Sequence, residues 1–172
     1  GIIGLTAHAG NWELGAAVLD RNGCRVNAVV LKQPFARLDR LFQSQRIRRG
    51  VHPLSMDNAA VSVPACLKRN ELVVLLADLD YLGGGARRVP FFGKPARLPR
   101  GPAVLAKRSG APILPAFVLR QTDDTFCFRA YPPILPDRSQ SVDDIQARIC
   151  AVLEEVVGDH PDQWFAFTPL WA

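Results

Sequence analysis

Short apolar and β-branched runs alternate along the chain with segments whose apolar residues recur at helical spacing. The run at 72–78 is apolar almost throughout, which predicts a central strand covered on both faces. This alternation is typical of the α/β class, with a mixed, mostly parallel central sheet flanked by helices, and not of a β-sandwich. Strands are predicted at 2–7, 25–31, 72–78, 88–92, 112–120 and 126–134, and helices at 12–20, 34–49, 57–68, 102–108 and 142–157.

Local signals indicate where several helices begin and end. Pro34 can open a helix because its missing N–H would have no partner there, and Gly50 indicates the end of that helix. Ser141 can cap the last helix while Asp144 completes a capping box, and Gly158 indicates where that helix ends.

Length and composition are those of a globular chain. It has 172 residues, of which 48% are hydrophobic and 22% charged, which excludes a large multidomain protein, a disordered tail and a fibre. We expect a single domain over residues 1–172. No apolar run approaches the roughly 20 residues of a membrane-spanning helix, so we also expect that an N-terminal membrane anchor is lacking.

The four cysteines are separated by tens of residues, which disfavours a zinc site or a redox pair. We expect buried free thiols in a reducing, cytosol-facing location. The four are Cys24, Cys66, Cys127 and Cys150.

The formal net charge of +5 favours acidic partners such as nucleic acid, anionic lipid or an acidic carrier protein. Eight basic residues and no acidic residue fall in 81–122, which predicts either a solvated face or an anion-binding surface. Stacking aromatic residues are not regularly spaced among them, so we expect no nucleic-acid partner. The eight are Arg87, Arg88, Lys94, Arg97, Arg100, Lys107, Arg108 and Arg120.

The segment after the first strand offers candidate chemistry. The strand ends at His8, a small-residue turn follows, and Asn11 is a good N-cap for the helix that begins at Trp12. His8 then lies at the carboxyl end of a strand, where α/β sheets bind ligands, and the turn lets it fold back toward Glu13. A carboxylate there would orient the imidazole as a general base for an alcohol. The alternative is a capped helix whose Glu13 only complements the helix macrodipole.

Five collinear blocks extend this picture along nearly the whole chain. The segment 8–13 (HAGNWE) resembles the H-x4-D/E block of the glycerolipid and lysophospholipid acyltransferase superfamily. Its NWE form resembles the bacterial lipid A biosynthesis acyltransferase branch, the lauroyl and myristoyl transferases. The other blocks, in chain order, are 76–81 (LADLDY), 89–96 (VPFFGKPA), 108–115 (RSGAPILP) and 160–165 (HPDQWF).

The resemblance implies an enzyme that moves a fatty acyl group from an acyl thioester to a hydroxyl of a lipid or glycolipid, without a covalent acyl-enzyme. His8 would be the base and Glu13 its orienting carboxylate. Asn11 and the amides near Gly10 would polarise the thioester carbonyl, with helix capping as the alternative role of Asn11. Trp12 is a candidate substrate-binding residue, and a role in packing is the alternative.

Two further pairs are candidate substrate contacts. Arg46 and Arg49 end a basic amphipathic helix and could bind acceptor phosphates, unless they only cover a solvated face. Asp78 and Asp80 follow the central strand on the same sheet edge as His8, where one of them could organise the pocket. A divalent metal at this pair is the less favoured alternative.

The resemblance implies no metal and no cofactor beyond the thioester co-substrate, carried by an acyl carrier protein or by coenzyme A. The acceptor stays open between a lipid A precursor of lipopolysaccharide biosynthesis, a phosphoinositol mannoside and an ornithine-type lipid. The expected location is the cytoplasmic face of the bacterial inner membrane, with the chain peripheral at the membrane surface. Phe91, Phe92, Leu98 and the loop 83–85 could line an acyl-chain groove, with core packing favoured for the two phenylalanines.

Two other classes of function compete with this interpretation. A non-catalytic peripheral module would use the basic surface to bind anionic membranes. A serine or cysteine hydrolase of the same lipids is disfavoured because the sequence has no G-x-S-x-G elbow.

Overall fold

The structure, a computed structural model, describes residues 1–80 and 86–171, and at 86 and 87 it describes the backbone alone. The strands are β1 (Ile2–Thr6), β2 (Val26–Val30), β3 (Val51–Ser55), β4 (Leu72–Leu76), β5 (Ala86–Phe91), β6 (Lys94–Pro99), β7 (Ile113–Arg120) and β8 (Phe126–Ala130). The helices are α1 (Trp12–Arg21), α2 (Ala36–Arg48), α3 (Ala59–Lys68), α4 (Gly101–Ser109) and α5 (Val142–Asp159), with short 3₁₀ turns at Met56–Asn58 and Pro161–Gln163.

Six strands form one sheet in the order β3-β2-β4-β1-β7-β8, and β5 and β6 form a separate antiparallel hairpin. Neighbours from β3 to β7 are parallel, and β8 pairs antiparallel with β7. The predicted α/β class with a mixed, mostly parallel sheet is therefore confirmed. Because β1 lies between β4 and β7, the carboxyl ends of these three strands meet at one edge, where α/β sheets bind ligands.

The two faces of the sheet are covered differently. Side chains such as Ile3 and Val73 point to one face, where they enter the main core together with residues of α3, α4 and α5. The other face is covered by α1, which approaches the sheet through its buried residues Gly15 and Ala16. A Cβ at Gly15 would lie 2.8 Å from Val118 Cγ2. Glycine therefore allows the close approach of α1 to β7.

The sequence pattern does not predict β3 or β6, and proline explains both omissions. Pro53 lies inside β3, and Pro95 and Pro99 lie in β6. Proline lacks the N–H that a central strand donates, so it weakens the strand signal. The structure tolerates these residues because β3 is an edge strand and β6 belongs to a two-stranded hairpin.

The other predicted boundaries lie within two residues of the observed ones, except at β8. That strand ends at Ala130 because Pro132 and Pro133 follow it and cannot donate to a ladder. The predicted capping box that starts α5 at Ser141 is confirmed. The predicted end before Gly158 is wrong by two residues, since α5 continues through Gly158 to Asp159.

The cysteines only partly match the expectation of buried thiols. All four are free, but Cys24 and Cys127 are exposed, whereas Cys66 and Cys150 are buried. Burial raises the pKa of the Cys66 and Cys150 thiols, which favours their protonated form.

The candidate acyl groove at the β5-β6 hairpin is not supported. Phe91 and Leu98 are fully buried in the main core, as core packing requires, while Phe92 is partly exposed. The loop 83–85 lies outside the described residues. Among the helices that the structure describes, none is both long and apolar enough to span a membrane.

An ionic cluster joins the amino end of β4 to β2. Glu71, immediately before β4, accepts hydrogen bonds from Asn27 Nδ2 at 3.0 Å and from Arg69 Nε at 2.9 Å. The Arg69 guanidinium, assisted by Asn27, lowers the pKa of Glu71 from 4.5 to about 2. The ionised carboxylate therefore stabilises the folded state.

We expect Glu71→Gln to lower the free energy of unfolding by about 1–2 kcal/mol at neutral pH, because it loses charge-assisted hydrogen bonds. Folding lowers the pKa of Glu71, so its contribution is complete above pH 4.5 and is lost as the pH falls toward about 2. Urea titrations at several pH values should show that the difference in the free energy of unfolding between wild type and variant becomes smaller in acid. Glu155→Gln, at an exposed position of α5, removes the same charge and should change stability by less than about 0.5 kcal/mol. A difference that stays constant in acid would contradict the prediction.

Candidate active site

The register between β1 and β4 brings His8 and Asp78 together. Thr6 pairs with Leu76 in the parallel ladder, and the amide of Ala77 donates to the carbonyl of Thr6 at 3.0 Å. His8 and Asp78 each lie two residues beyond that pair, at the carboxyl edge of the sheet. The expectation that these two residues share a sheet edge is confirmed.

Asp78 is fully buried, and its carboxylate contacts three nitrogen atoms. Its Oδ1 lies 2.9 Å from His8 Nδ1. Its Oδ2 accepts from the backbone N–H of His8 and from Nε1 of Trp164, both at 2.9 Å. Since a carboxylate accepts hydrogen bonds, this arrangement favours the imidazole tautomer with hydrogen on Nδ1 and the lone pair on Nε2. A histidine oriented in this way can act as a general base.

The segment 163–165 fixes the backbone around His8. The amide of Phe165 donates to the carbonyl of His8 at 2.7 Å, and the amide of Gly10 donates to the carbonyl of Gln163 at 2.9 Å. Both side-chain groups of Gln163 bond the backbone of Arg120 at the end of β7. These bonds tie the turn after β1 to the end of the chain and to β7.

Gly10 is required by the path of this turn. Its φ is +61°, a conformation that side chains disfavour, and a Cβ there would lie 2.1 Å from the carbonyl oxygen of Val118. The neighbouring amide of Asn11 donates to that same oxygen at 2.8 Å. The backbone of the turn therefore packs directly against β7.

The expected role of the backbone amides near Gly10 in polarising a thioester carbonyl is not supported. The amides of Gly10 and Asn11 both donate to backbone carbonyls of the protein. Asn11 Oδ1 accepts from the amide of Leu14 at 3.0 Å, which is the capping interaction given as its alternative role. The turn is held by these bonds because Gly10 brings it so close to β7, and the two amides are therefore not directed at a substrate.

Glu13 also makes a different contact from the one expected. Its Oε1 accepts from Arg46 Nη2 at 2.6 Å and from Nε at 3.0 Å, whereas the bond to the His8 imidazole comes from Asp78. The strand register places Asp78 beside the ring, and Glu13 lies in the first turn of α1, where it can reach α2. The orienting contact that the sequence assigned to Glu13 is thus made by Asp78.

The two arginines of α2 differ from each other. The Arg46 side chain is only 17% exposed and bonds the partly exposed carboxylate of Glu13, so its expected contact with an acceptor phosphate is not supported. Arg49 caps the carboxyl end of α2 and is exposed, which is compatible with a phosphate contact and with a solvated face.

Trp12 forms a wall beside His8. Its ring lies edge-on to the imidazole, with centroids 5.1 Å apart, and also contacts the ring of Phe165. Trp12 lines an apolar cavity of about 190 Å³ between α1 and the sheet, together with Gly15, Val118 and other residues. The packing alternative therefore describes Trp12 well, and the side chain connects His8 with an apolar space.

A larger cavity of about 720 Å³ lies beside the turn. Gly10, Asn11, Arg120 and His160 are among its lining residues, which are mostly polar. Asp80, the remaining sequence candidate, is half-buried at the end of the first described range. No group of three or more His, Cys, Asp or Glu side chains within residues 1–80 and 86–171 is arranged to hold a metal ion.

Trp164 contacts the candidate site, although the sequence did not single it out. It belongs to the HPDQWF block, but nothing local indicates that its indole donates to a carboxylate 86 positions away. The signal available in the sequence was a tryptophan in a collinear block together with a buried aspartate that needs donors.

Asp78→Asn should change the tautomer of His8. Two N–H groups donate to Oδ2, so the amide oxygen will occupy that place and the new NH₂ will face His8 Nδ1. An NH₂ group donates, so the imidazole hydrogen will move to Nε2. Nitrogen-15 NMR of the imidazole should report Nδ1–H in the wild type and Nε2–H in the variant. Asp123→Asn, in the exposed turn after β7, should leave the wild-type signal, and an unchanged tautomer in Asp78→Asn would refute the assignment.

Trp164→Phe should destabilise the protein by about 2–3 kcal/mol, because a buried charged group loses a donor. Trp171→Phe is the matched control, since it also removes an indole N–H, which there donates to the carbonyl of Phe91 at 3.1 Å. Loss of that neutral hydrogen bond should destabilise the protein by about 1 kcal/mol. Urea unfolding of both variants measures the difference, and equal costs would argue against the buried carboxylate as the reason.

Comparison with known proteins identifies the family of the chain. The chain is 29% identical over 168 residues to the phosphatidylinositol mannoside acyltransferase of Mycobacterium tuberculosis strain CDC 1551, a match over 95% of this chain and 52% of that protein. The protein of the same name from Mycolicibacterium smegmatis is 28% identical over 168 residues, covering 95% of this chain and 54% of that protein. The chain thus spans about half the length of these relatives. The family model described as bacterial lipid A biosynthesis acyltransferase matches residues 1–172, and the chain belongs to that family.

Proposed function

We propose that the chain carries the catalytic site of an O-acyltransferase, which moves a fatty acyl group from an acyl thioester to a hydroxyl of a glycolipid. The observation that carries this proposal is the His8 imidazole bonded through Nδ1 to the buried carboxylate of Asp78, at the carboxyl edge of the sheet. Membership of an acyltransferase family supports the reaction class.

The reaction can proceed with His8 as a general base. Nε2 takes the proton of the acceptor hydroxyl while its oxygen attacks the thioester carbonyl and forms the new C–O bond. The tetrahedral species then collapses, the C–S bond breaks, and the leaving thiolate takes the proton from the imidazolium. The Asp78 carboxylate stabilises the imidazolium that exists between these steps. No residue of the protein becomes acylated.

The acyl chain would occupy the apolar cavity between α1 and the sheet. Trp12 borders both this cavity and the His8 ring. A fatty acyl chain bound in the cavity could therefore present its thioester carbon near His8. The donor would be carried by an acyl carrier protein or by coenzyme A, and we favour the carrier protein because the chain has a net charge of +5.

We propose a phosphoinositol mannoside as the acceptor, with a lipid A precursor as the second candidate. The relatives named as phosphatidylinositol mannoside acyltransferases support the first, and the family description supports the second. Both are glycolipids with hydroxyl groups near a membrane surface, so we place the chain at the cytoplasmic face of the bacterial inner membrane.

The basic hairpin is a candidate for headgroup contacts. Arg88 and Arg97 are exposed cross-strand neighbours on β5 and β6. Arg100 forms an ion pair with Asp143 of α5 and so contributes less to an anion-binding surface. The side chain of Arg87 lies outside the described residues.

His8→Gln should lower the rate of acyl transfer by about 10²–10⁴-fold, because the general base is lost. Palmitoyl-coenzyme A and phosphatidylinositol mannoside are the substrates to test, with mass spectrometry of the lipid product as the readout. His52→Gln, at an exposed position of β3, is the matched control and should retain transfer.

Two outcomes would overturn the proposed function. A His8→Gln variant with wild-type turnover would remove His8 from the mechanism. A wild-type chain that binds anionic vesicles but forms no acylated product from either donor would favour the non-catalytic membrane-binding module.

A further inference from the structure

Helix α2 has the reverse of the usual polarity of a surface helix. None of its residues is buried. The half-buried side chains that turn toward the protein include Asp39 and Arg46, which bond the amide of Gln33 and the carboxylate of Glu13. A helix on a protein core normally turns its apolar side inward. The Asp39 bond is local to the start of α2, whereas the ion pair between Arg46 and Glu13 attaches α2 to α1, and the large apolar residues of α2 are exposed.

Most of these exposed apolar residues form one stripe, and Ile47, which is 59% exposed, lies on a different side of the helix. Leu38, Leu41 and Phe42 have the i, i+3, i+4 spacing of neighbours on a helix face, and they are 38%, 51% and 38% exposed. Phe35, just before the helix, is 72% exposed. We call these four residues the α2 stripe. Four large exposed apolar side chains on one short segment are typical of a surface that interacts with a protein or a membrane.

Arginines border the α2 stripe. Segment 34–49 contains five arginines and one aspartate. Arg37 and Arg48 are eleven positions apart, about three helical turns, so they lie along the same side of the stripe. Among the residues that the structure describes, neither forms an ion pair. Their charges are therefore available to an anionic partner.

We propose that the α2 stripe and its arginines dock the protein on an anionic membrane surface, with α2 lying in the plane of the interface. An apolar face bordered by arginines is the pattern of interfacial helices, whose arginines extend to the lipid phosphates while the apolar residues enter the acyl region. Charge complementarity selects anionic lipid.

The placement of α2 next to the candidate site gives this docking a consequence, which rests on the proposed function. Arg46 of α2 bonds Glu13, five residues after His8. A membrane under α2 would therefore hold the general base close to the lipid surface in which a glycolipid acceptor lies.

The test is a flotation assay with vesicles of phosphatidylcholine, with and without phosphatidylglycerol. The wild-type chain should bind the anionic vesicles and lose most of this binding at about 1 M salt. Arg37→Gln with Arg48→Gln should weaken binding about 10-fold or more at low salt. Leu38→Ser with Leu41→Ser should weaken it by about 10-fold or more.

Matched controls separate the α2 surface from general charge and hydrophobicity. Lys68→Gln with Arg108→Gln removes the same charge from exposed positions of α3 and α4. Val61→Ser with Leu135→Ser removes exposed apolar side chains away from α2. Both controls should bind as the wild type does, and circular dichroism should show that all variants are folded.

Three results would overturn the docking proposal. The first is that the α2 variants bind anionic vesicles as the wild type does. The second is that they change a dimer into a monomer in sedimentation while vesicle binding is unchanged, which would make a second copy the partner. The third is that they lose binding only to an acidic carrier protein. His8→Gln should bind vesicles normally, so failure of the acyl-transfer proposal and failure of the docking proposal give different results.

Discussion

The candidate site depends on the burial of one carboxylate. Removing a carboxylate from water is costly unless donors surround it. Asp78 finds those donors in the ring and amide of His8 and in the indole of Trp164, which are 70 and 86 positions away. Because these three residues follow β4, β1 and α5, their contacts form only when the sheet and the segment 163–165 are both in place. The site is therefore a product of the complete fold.

The strand register controls this arrangement from both ends of β4. At the amino end, Glu71 bonds Asn27 of β2, and its carbonyl accepts from the amide of Ile2 of β1 at 3.2 Å. At the carboxyl end, the same register sets Asp78 beside His8. A slip of one residue would turn every side chain of the strand to the opposite face. The ionic cluster at Glu71 and the site at Asp78 thus constrain the same alignment.

The sequence was sufficient for features that local chemistry determines. The apolar run at 72–78, the capping box at Ser141 and the turn after His8 each contain their own signal. The strands with internal proline were missed because that signal reports local preference, whereas edge position is a property of the whole sheet. The sequence also paired His8 with Glu13, its near neighbour in the motif, because strand order is needed to see that Asp78 bonds the imidazole. The hydrogen bond from Trp164 to Asp78 joins residues that are even further apart in the sequence, and no local pattern indicates it.

The two carboxylates near His8 have separate structural tasks. Asp78 is fully buried and bonds the imidazole, so it sets the direction of the ring. Glu13 is partly exposed and bonds Arg46, so it joins the first turn of α1 to α2. The turn that connects His8 to α1 is itself fixed on β7 through Gly10. A displacement of α2 would therefore act on α1 through Glu13 before it reached the histidine. In this arrangement the carboxylate of Glu13 joins the helices around His8, and the carboxylate of Asp78 positions the imidazole itself.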